Sequence, residues 1–422
     1  MKQTPIAADV ANMALAERLF ADLAAPYADE VGITRDAYGP GEQRAHERFI
    51  EAAKSLGLEL HQDAAGNHFA RLPGSDPTLP AWLIGSHLDS VPQGGNYDGA
   101  AGVIAGLTVV SRLQATGITP RRDMIVAAFR AEESTWFPAS YIGSRAALGR
   151  LDATTLSLPR ADTGRSLAEH LRDCGGDPEA VAAGDAWLDL DRLHAMLELH
   201  IEQGPTLEHA GIPIGIVTGI AGSFRYRQAR CLGEWGHSGA VARAHRHDAL
   251  MAFCALATAL EHEWSALEAE GFSATVTVGQ IATPPAQHAF SKIPGEIGFC
   301  LDVRSECPQT LERLEHRLFA SARHLEAERG VRFDFGVRTG STPAPMSPAL
   351  TERCQILAEA IDLAHMTLPS GAGHDAATFA NAGVPAQMLF VRNQNGSHNP
   401  NEAMRLEDFA EGVRLLVALV QE

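Results

Sequence analysis

Four apolar segments of this chain each lead towards a histidine or a pair of acidic residues. Segments 81–84, 124–129, 196–199 and 388–391 have the length and composition of buried β-strands. The polar residues that follow them are His87, the pair Glu132 and Glu133, His200, and His398. Ligands of open α/β sheets bind beyond the carboxyl ends of the strands, so this pattern predicts an α/β fold with one polar cleft.

The stretches between these strands are predicted to be mainly helical. Helices are expected over residues 100–114, 140–148 and 376–382. Residues 150–190 are polar and rich in Gly, Asp and Ala, which predicts an excursion over the surface.

The pattern changes in the middle of the chain to the order β-α-β-β-α-β. The elements are expected at 223–235, 248–270, 273–281, 296–304, 310–329 and 331–337. This order is typical of a ferredoxin-like α+β domain inserted into a larger one. We therefore predict a catalytic domain in two parts, residues 1–213 and 330–422, with an inserted domain at 214–329. Glycines near both boundaries suit a hinge.

Composition excludes several classes of protein. The chain has 422 residues, 45% hydrophobic and 20% charged, as expected for a globular protein of two domains. Its net charge of −18 argues against nucleic-acid binding, which favours basic surfaces. No run of about 18 apolar residues indicates a membrane span, and no signal peptide is apparent, so a cytoplasmic location is expected. The six cysteines form no CxxC pair, which argues against thiolate metal sites and a disulfide framework.

The polar clusters have the chemistry of a site for two metal ions. His87 and Asp98 flank a glycine-rich turn in GSHLDSVPQGGNYDG, and Asp89 can support the His87 ring or the neighbouring backbone. Two ions need about three ligands each, with one carboxylate shared between them. Glu132 and Glu133 are adjacent at a strand end, so one can bind metal while the other transfers protons. Taken alone, the glutamate pair could also be a solvated acidic loop, and Asp98 an ordinary Asp-Gly turn.

These motifs resemble the dizinc amidohydrolases that comprise N-carbamoyl-L-amino-acid hydrolases, allantoate amidohydrolases and β-alanine synthases, within the aminoacylase and zinc-exopeptidase superfamily. The resemblance covers nearly the whole chain, and ELHIEQGP and GAGHDA are specific to the carbamoylase branch. It implies a mixed-sheet, zinc-exopeptidase-like catalytic domain with an inserted lid that forms the dimer. One ion would be bound by His87, Asp98 and His200, and the other by Asp98, Glu133 and His398. Glu132 would be the general base.

The resemblance also implies roles in substrate binding. Gln203 would contact the amide or ureido group, and His237, from the partner subunit, would stabilise the oxyanion. Arg304 would bind the substrate carboxylate, although an ion pair with Asp302 or Glu306 is an alternative. His374 would line the site. His288 and Ser291 stand where the family commonly has two asparagines, which leaves the exact substrate open.

The predicted function is therefore hydrolysis of a C–N bond in an N-carbamoyl-L-amino acid or a related ureido acid such as allantoate. The metals are expected to be two zinc ions, although histidine and carboxylate ligands also suit manganese, cobalt or nickel. One alternative is an aminoacylase or dipeptidase that acts on N-acyl amino acids. Another is a metal-dependent binding protein without catalysis, which the intact base and ligand set disfavours.

Overall fold

A computed structural model describes residues 6–24 and 31–421 of the chain. It divides into two compact units. The first unit comprises Met1–Thr218, Met346–Leu368 and His374–Glu422, and the second comprises Gly219–Pro345 and Pro369–Gly373. Among the described residues, no helix is long and apolar enough to span a membrane.

The first unit alternates strands and helices. Its strands are β1 (Glu59–Gln62), β2 (His68–Leu72), β3 (Ala81–His87), β4 (Met124–Phe129), β5 (Leu193–Ile201), β6 (Ile214–Ile220, which ends in the second unit), β16 (His365–Ser370, which also ends there), β17 (Ala386–Val391), β18 (Asn393–Gln394) and β19 (Ala403–Met404). Its helices are α1 (Ile6–Ala24), α2 (Pro40–Ser55), α3 (Ala100–Ala115), α4 (Ile142–Ala147), α5 (Leu167–Asp173), α6 (Pro178–Ala182), α7 (Thr206–Ala210), α10 (Pro348–Ala360), α11 (Asp375–Ala380) and α12 (Leu406–Val420).

A mixed sheet organises this unit in the strand order β1-β2-β4-β3-β5-β17-β6. The four central strands, β4, β3, β5 and β17, are parallel, and the flanking pairs are antiparallel. Strands β3, β4 and β17 are buried along their whole length, as expected for parallel strands covered on both faces. Helix α3 is apolar nearly all round and packs against β3, α1 and α12. The parallel arrangement brings the carboxyl ends of four strands to one edge.

More than half of residues 151–190 are exposed, in agreement with the predicted surface excursion, and part of the segment is helical. The segment includes α5 and α6, whose Leu167, Leu171 and Val181 are buried in a second apolar cluster with Tyr38 and Phe137. The few leucines and valines hold the segment against the first unit because they face one core, although polar residues outnumber them.

The second unit has the ferredoxin-like order. Its elements are β7 (Gly222–Leu232), β8 (Gly236–His237), α8 (Ala249–Ala269), β9 (Thr275–Thr277), β10 (Ile281–Ala282), β11 (Lys292–Ile293), β12 (Glu296–Ser305), α9 (Pro308–Arg329), β13 (Arg332–Asp334), β14 (Arg338–Ser341) and β15 (Ala344–Pro345). Strands β9 and β10 pair with β12, which pairs with β7, and β7 also pairs with β13 and β14. Helices α8 and α9 pack together over a core of their own. The unit runs to Pro345, beyond the predicted boundary at residue 329, because β13 and β14 pair with β7.

Candidate active site

The residues of the predicted metal site lie at the carboxyl ends of neighbouring strands in the first unit. His87 ends β3, Glu132 and Glu133 follow β4, and His200 lies near the end of β5. Asp98 precedes α3, and His398 lies in the loop between β18 and β19. Because β4, β3 and β5 are adjacent and parallel, their ends deliver side chains from distant parts of the sequence to one place.

Three buried side chains meet around one oxygen of Asp98. Asp98 Oδ1 lies 3.6 Å from His87 Nε2 and 3.2 Å from His200 Nε2. The ligand atoms of these three residues all lie within 4.8 Å of one another. Two imidazole nitrogens and a carboxylate oxygen form a three-donor set that zinc commonly takes in catalytic sites, where a fourth position stays open.

The other oxygen of Asp98 faces a second group. His398 Nε2 lies 3.3 Å from Asp98 Oδ2 and 3.0 Å from Glu133 Oε1, and these ligand atoms also lie within 4.8 Å of one another. The His398 side chain is 49% exposed, so this half of the site is open to solvent. Asp98 therefore belongs to both groups, as a carboxylate that bridges two metal ions would.

The hydrogen bonds of the buried histidines fit metal binding. His87 Nδ1 lies 3.1 Å from the Asp89 carbonyl oxygen, and His200 Nδ1 lies 2.9 Å from the Ile201 carbonyl oxygen. In the neutral ring, the form that binds a metal, each Nδ1 must donate to its carbonyl, which leaves a lone pair on Nε2. Both Nε2 atoms lie near Asp98 Oδ1, a buried atom without a hydrogen-bond partner, and His200 Nε2 also accepts a hydrogen bond from the Gly99 N–H at 3.2 Å. Acceptors facing one another in this way are stabilised by a cation, so these residues fit a metal ion.

The electrostatics of the site are consistent with the same excess of negative charge. Burial lowers the pKa of His87, but the neighbouring carboxylates of Asp89 and Asp98 outweigh burial and raise it well above its usual range. Hydrogen bonds to Asp98 and Glu133 raise the pKa of His398 to about 11. Protons thus bind where metal ions would, which means that metal binding must displace them.

Glu132 lies beside the two groups and is held by Asp89. Its Oε2 is 4.0 Å from His87 Nε2, and its side chain is buried. The carboxylate of Asp89 accepts hydrogen bonds from the backbone N–H groups of Glu132 and Glu133, at 3.0 and 3.1 Å. Burial and the nearby Glu133 raise the pKa of Glu132 well above its usual range, against the opposing effect of His87. A buried carboxyl with a raised pKa is suited to accept a proton and then release it.

Two further residues of the first unit approach the site. Gln203 adopts a left-handed backbone conformation, φ 64°, and its Nε2 donates to Asp98 Oδ2 at 2.7 Å. His374 is buried, and its ring packs edge-on against His200 with centroids 4.4 Å apart. Burial and the positive potential of His200 lower the pKa of His374 well below its usual value, so its ring is neutral. His374, Glu198 and His200 form another group with metal-ligand spacing, and it shares His200 with the first.

The other predicted residues lie in the second unit, where the structure groups His237 with Ser291. Strand β8 pairs with β11 so that Ser238 N–H donates to the Ser291 carbonyl oxygen at 3.0 Å. His237 is exposed, and its Nδ1 accepts hydrogen bonds from the N–H groups of Gly239 and Ala240. An Nδ1 that accepts twice leaves the proton of a neutral ring on Nε2, so His237 presents an N–H donor to solvent.

Arg304 and His288 are engaged within the second unit. Arg304 Nη2 donates to Asp302 Oδ2 at 2.8 Å, and Nη1 donates to the Gly371 carbonyl oxygen at 3.2 Å. The pair with Asp302 that was an alternative from the sequence is therefore formed, while about one third of the Arg304 side chain stays exposed. His288 Nδ1 lies 2.8 Å from Thr283 Oγ1.

Sequence reasoning missed the residues that support the ligands from behind. Glu402 accepts hydrogen bonds from the Tyr97 and Asp98 N–H groups, and the Arg35 guanidinium contacts the carbonyl groups around Asp98. Glu402 stands in the same SHNPNE segment as His398, which was the available signal. Arg392, which precedes His398 in the sequence, forms a two-point ion pair with Asp408.

Paired carboxylate and histidine groups around a shared aspartate, with a spare buried glutamate, define a metal-dependent hydrolase site. Residues 83–422 match the model of peptidase family M20/M25/M40. The chain is 35% identical over 387 residues to the N-carbamoyl-L-amino acid amidohydrolase of Geobacillus stearothermophilus, covering 91% of this chain and 92% of that protein. It is 30% identical over 393 residues to the allantoate amidohydrolase of Escherichia coli, covering 93% of each.

A hydantoinase/carbamoylase family amidase from Burkholderia multivorans has the same fold, with a TM-score of 0.85 at 29% identity and 97% coverage of both chains. The chain therefore belongs to peptidase family M20/M25/M40, and it is a hydrolase of the amidohydrolase type within it. The family resemblance and the mixed α/β fold predicted from the sequence are both confirmed.

Proposed function

We propose that this protein hydrolyses the C–N bond of a ureido group in a small carboxylate-bearing substrate, an N-carbamoyl-L-amino acid or an allantoate-like acid, and releases ammonia and carbon dioxide. The observation that carries the proposal is the position of Asp98 between two ligand groups, with Glu132 beside them and outside both. The names of the relatives from Geobacillus and Escherichia support the ureido substrate class.

We propose two zinc ions, one held by His87, Asp98 and His200 and the other by Asp98, Glu133 and His398. Bound divalent ions lower the pKa of water towards about 7 and polarise a carbonyl group. Glu132 accepts the proton of the attacking water and delivers it to the leaving nitrogen. Its raised pKa suits both transfers, because the same group must be a base first and an acid afterwards.

The second unit acts as the lid and as the dimerisation domain in this proposal. The Nε2–H group of the partner subunit's His237, fixed by the two hydrogen bonds to its Nδ1, donates to the developing oxyanion. Arg304 exchanges its contact with Asp302 for the substrate carboxylate, which a planar guanidinium binds at two points. Gln203 contacts the ureido group, His374 lines the site, and His288 and Ser291 contribute to substrate choice.

The test is ammonia release by the purified protein, reloaded with zinc or with manganese, from a panel of N-carbamoyl-L-amino acids and allantoate. N-acetyl amino acids are assayed in parallel for free amine, and Glu132→Ala is the control. Ammonia that disappears in the control supports the proposal. Free amine from the acetyl compounds alone would replace it with an aminoacylase, and silence on both panels would contradict both functions.

A further inference from the structure

Two buried side chains outside the ligand set hold the backbone of the aspartate shared by both metal groups. They are Glu402, 8% exposed, and Arg35, which is fully buried. Both lie in the first unit, and they contact opposite ends of the Asp98 residue: its N–H and its carbonyl oxygen.

Glu402 contacts the Asp98 segment through both carboxylate oxygens. Oε1 accepts hydrogen bonds from Tyr97 N–H at 2.8 Å and from Asp98 N–H at 3.2 Å. Oε2 lies 2.6 Å from Ser397 Oγ, which is also 2.6 Å from Asp98 Oδ2. The fit is tight, since a Cβ atom on Gly95 would lie only 2.2 Å from the Glu402 carboxylate. Glu402 therefore fixes the Asp98 backbone directly, and the single hydrogen of the Ser397 hydroxyl is donated to one of the two carboxylates at a time.

Arg35 closes the loop between the two ligands His87 and Asp98. Its Nε donates to the Leu88 carbonyl oxygen at 2.8 Å, and Nη1 donates to Asn96 Oδ1 at 3.0 Å. Its Nη2 reaches the Asp98 carbonyl oxygen at 3.4 Å. One rigid planar group thus joins the first residue after His87 to Asp98 itself.

We infer that Glu402 and Arg35 are positioning residues that fix the metal-bridging Asp98 by gripping its backbone from both sides. The inference rests on the proposed two-metal function, because a shared carboxylate has to suit two ions at once. Each oxygen of Asp98 faces a different ligand group, so a shift of this one residue disturbs both. Partners that orient a ligand in this way are typically worth 10–100-fold in metal affinity.

The experiment measures zinc and cobalt affinity by competition with a chromophoric chelator, in Glu402→Ala and Glu402→Gln. Alanine removes both carboxylate acceptors of Glu402, so we expect zinc and cobalt each to bind at least ~10-fold more weakly. Glutamine keeps an acceptor for the two N–H groups, so its affinities should stay within a few-fold of wild type. An alanine variant with wild-type affinities, or a glutamine variant as weak as alanine, would overturn the inference.

Glu202→Ala is the matched control. Glu202 is 9% exposed and also accepts from two backbone N–H groups, but those of Thr206 and Leu207 in α7. The Glu202→Ala variant should lose thermal stability but keep its affinity for zinc and for cobalt. Equal loss in Glu202→Ala would mean that any buried glutamate has this effect, and the inference would fail.

Arg35→Lys keeps the charge but cannot span three acceptors. We therefore expect it to lower the affinity for zinc and cobalt as Glu402→Ala does. Wild-type affinities in this variant would exclude Arg35 from the positioning role. At saturating metal, kcat of Glu402→Ala should fall more than KM rises, because substrate contacts are intact.

The affinity measurements need no substrate. If the variants ranked in metal affinity as expected but the wild-type protein hydrolysed no ureido acid, the proposed function would be disproved and this inference would stand.

Discussion

At the scale of single residues, the two adjacent glutamates differ in what they contact. Glu133 lies 3.0 Å from His398, within a ligand group, whereas Glu132 belongs to neither ligand group. We predict that Glu132→Gln binds metal normally but loses at least ~100-fold in kcat, the usual worth of a general base. Glu133→Gln should instead bind fewer metal ions per chain. Elemental analysis beside steady-state kinetics checks both, and loss of metal in Glu132→Gln would assign it as a ligand.

Gly99 is a second residue whose identity the site requires. It has φ 67°, and a Cβ atom there would lie 2.5 Å from the His87 ring. Gly117→Ala is a matched control, because Gly117 has φ 66° with no atom within 4 Å of the added Cβ. Both variants should lose about 1 kcal/mol of stability from backbone strain. Only Gly99→Ala should also lose metal affinity, measured by chelator competition, and equal affinities in the two variants would show that the ring yields.

At the scale of secondary-structure elements, most of the site was predictable because parallel strands place their ends together. The runs before His87, Glu132 and His200 are apolar enough to identify as strands, and chain order then places the ligands. Glu402 and Arg35 were not predicted because neither follows a strand end. Both bind backbone N–H or carbonyl groups, which every residue carries, so the sequence pattern does not indicate these contacts. The sequence shows that Arg392 is near His398 but not that it pairs with Asp408, which lies in the first turn of α12.

Helix α2 packs on β2 through a buried pair of histidines that makes stability depend on pH. His46 Nδ1 lies 3.0 Å from His68 Nδ1. Burial, with Arg130 nearby, lowers the pKa of His68 to about 4 and that of His46 well below its usual value. Below pH ~6.5 the unfolded chain takes up protons that the folded chain refuses, so stability falls as pH falls from ~6.5 towards 4.

We predict that His68→Gln makes the unfolding free energy of the first unit less steep in this window, by up to about 1.4 kcal/mol per pH unit. Urea unfolding at pH 7, 6 and 5 measures it. His324→Gln removes a histidine whose side chain is 77% exposed and should leave the slope unchanged. A His68→Gln slope that equals the wild-type slope would mean that this pair takes up protons without cost.

At the scale of the whole molecule, each of the two units has a main hydrophobic core, and these two cores share no described residue. The core of the first unit surrounds α3 and the mixed sheet, and that of the second lies between its sheet and helices α8 and α9. Among the described residues, every group with metal-ligand spacing belongs to the first unit. A ligand that binds only the folded state stabilises the unit that holds it, by ~4 kcal/mol at a concentration of ~1,000 Kd.

Removal of bound metal by a chelator should therefore lower the unfolding temperature of the first unit alone, as measured by calorimetry. Leu314→Ala identifies the other transition, because Leu314 is fully buried in the core of the second unit and its truncation costs about 2–5 kcal/mol. We expect the chelator to lower one transition temperature and Leu314→Ala to lower the other. If both treatments moved a single common transition, the two units would unfold as one, and loss of the metal ions would then destabilise His237 and Arg304 together with the ligands.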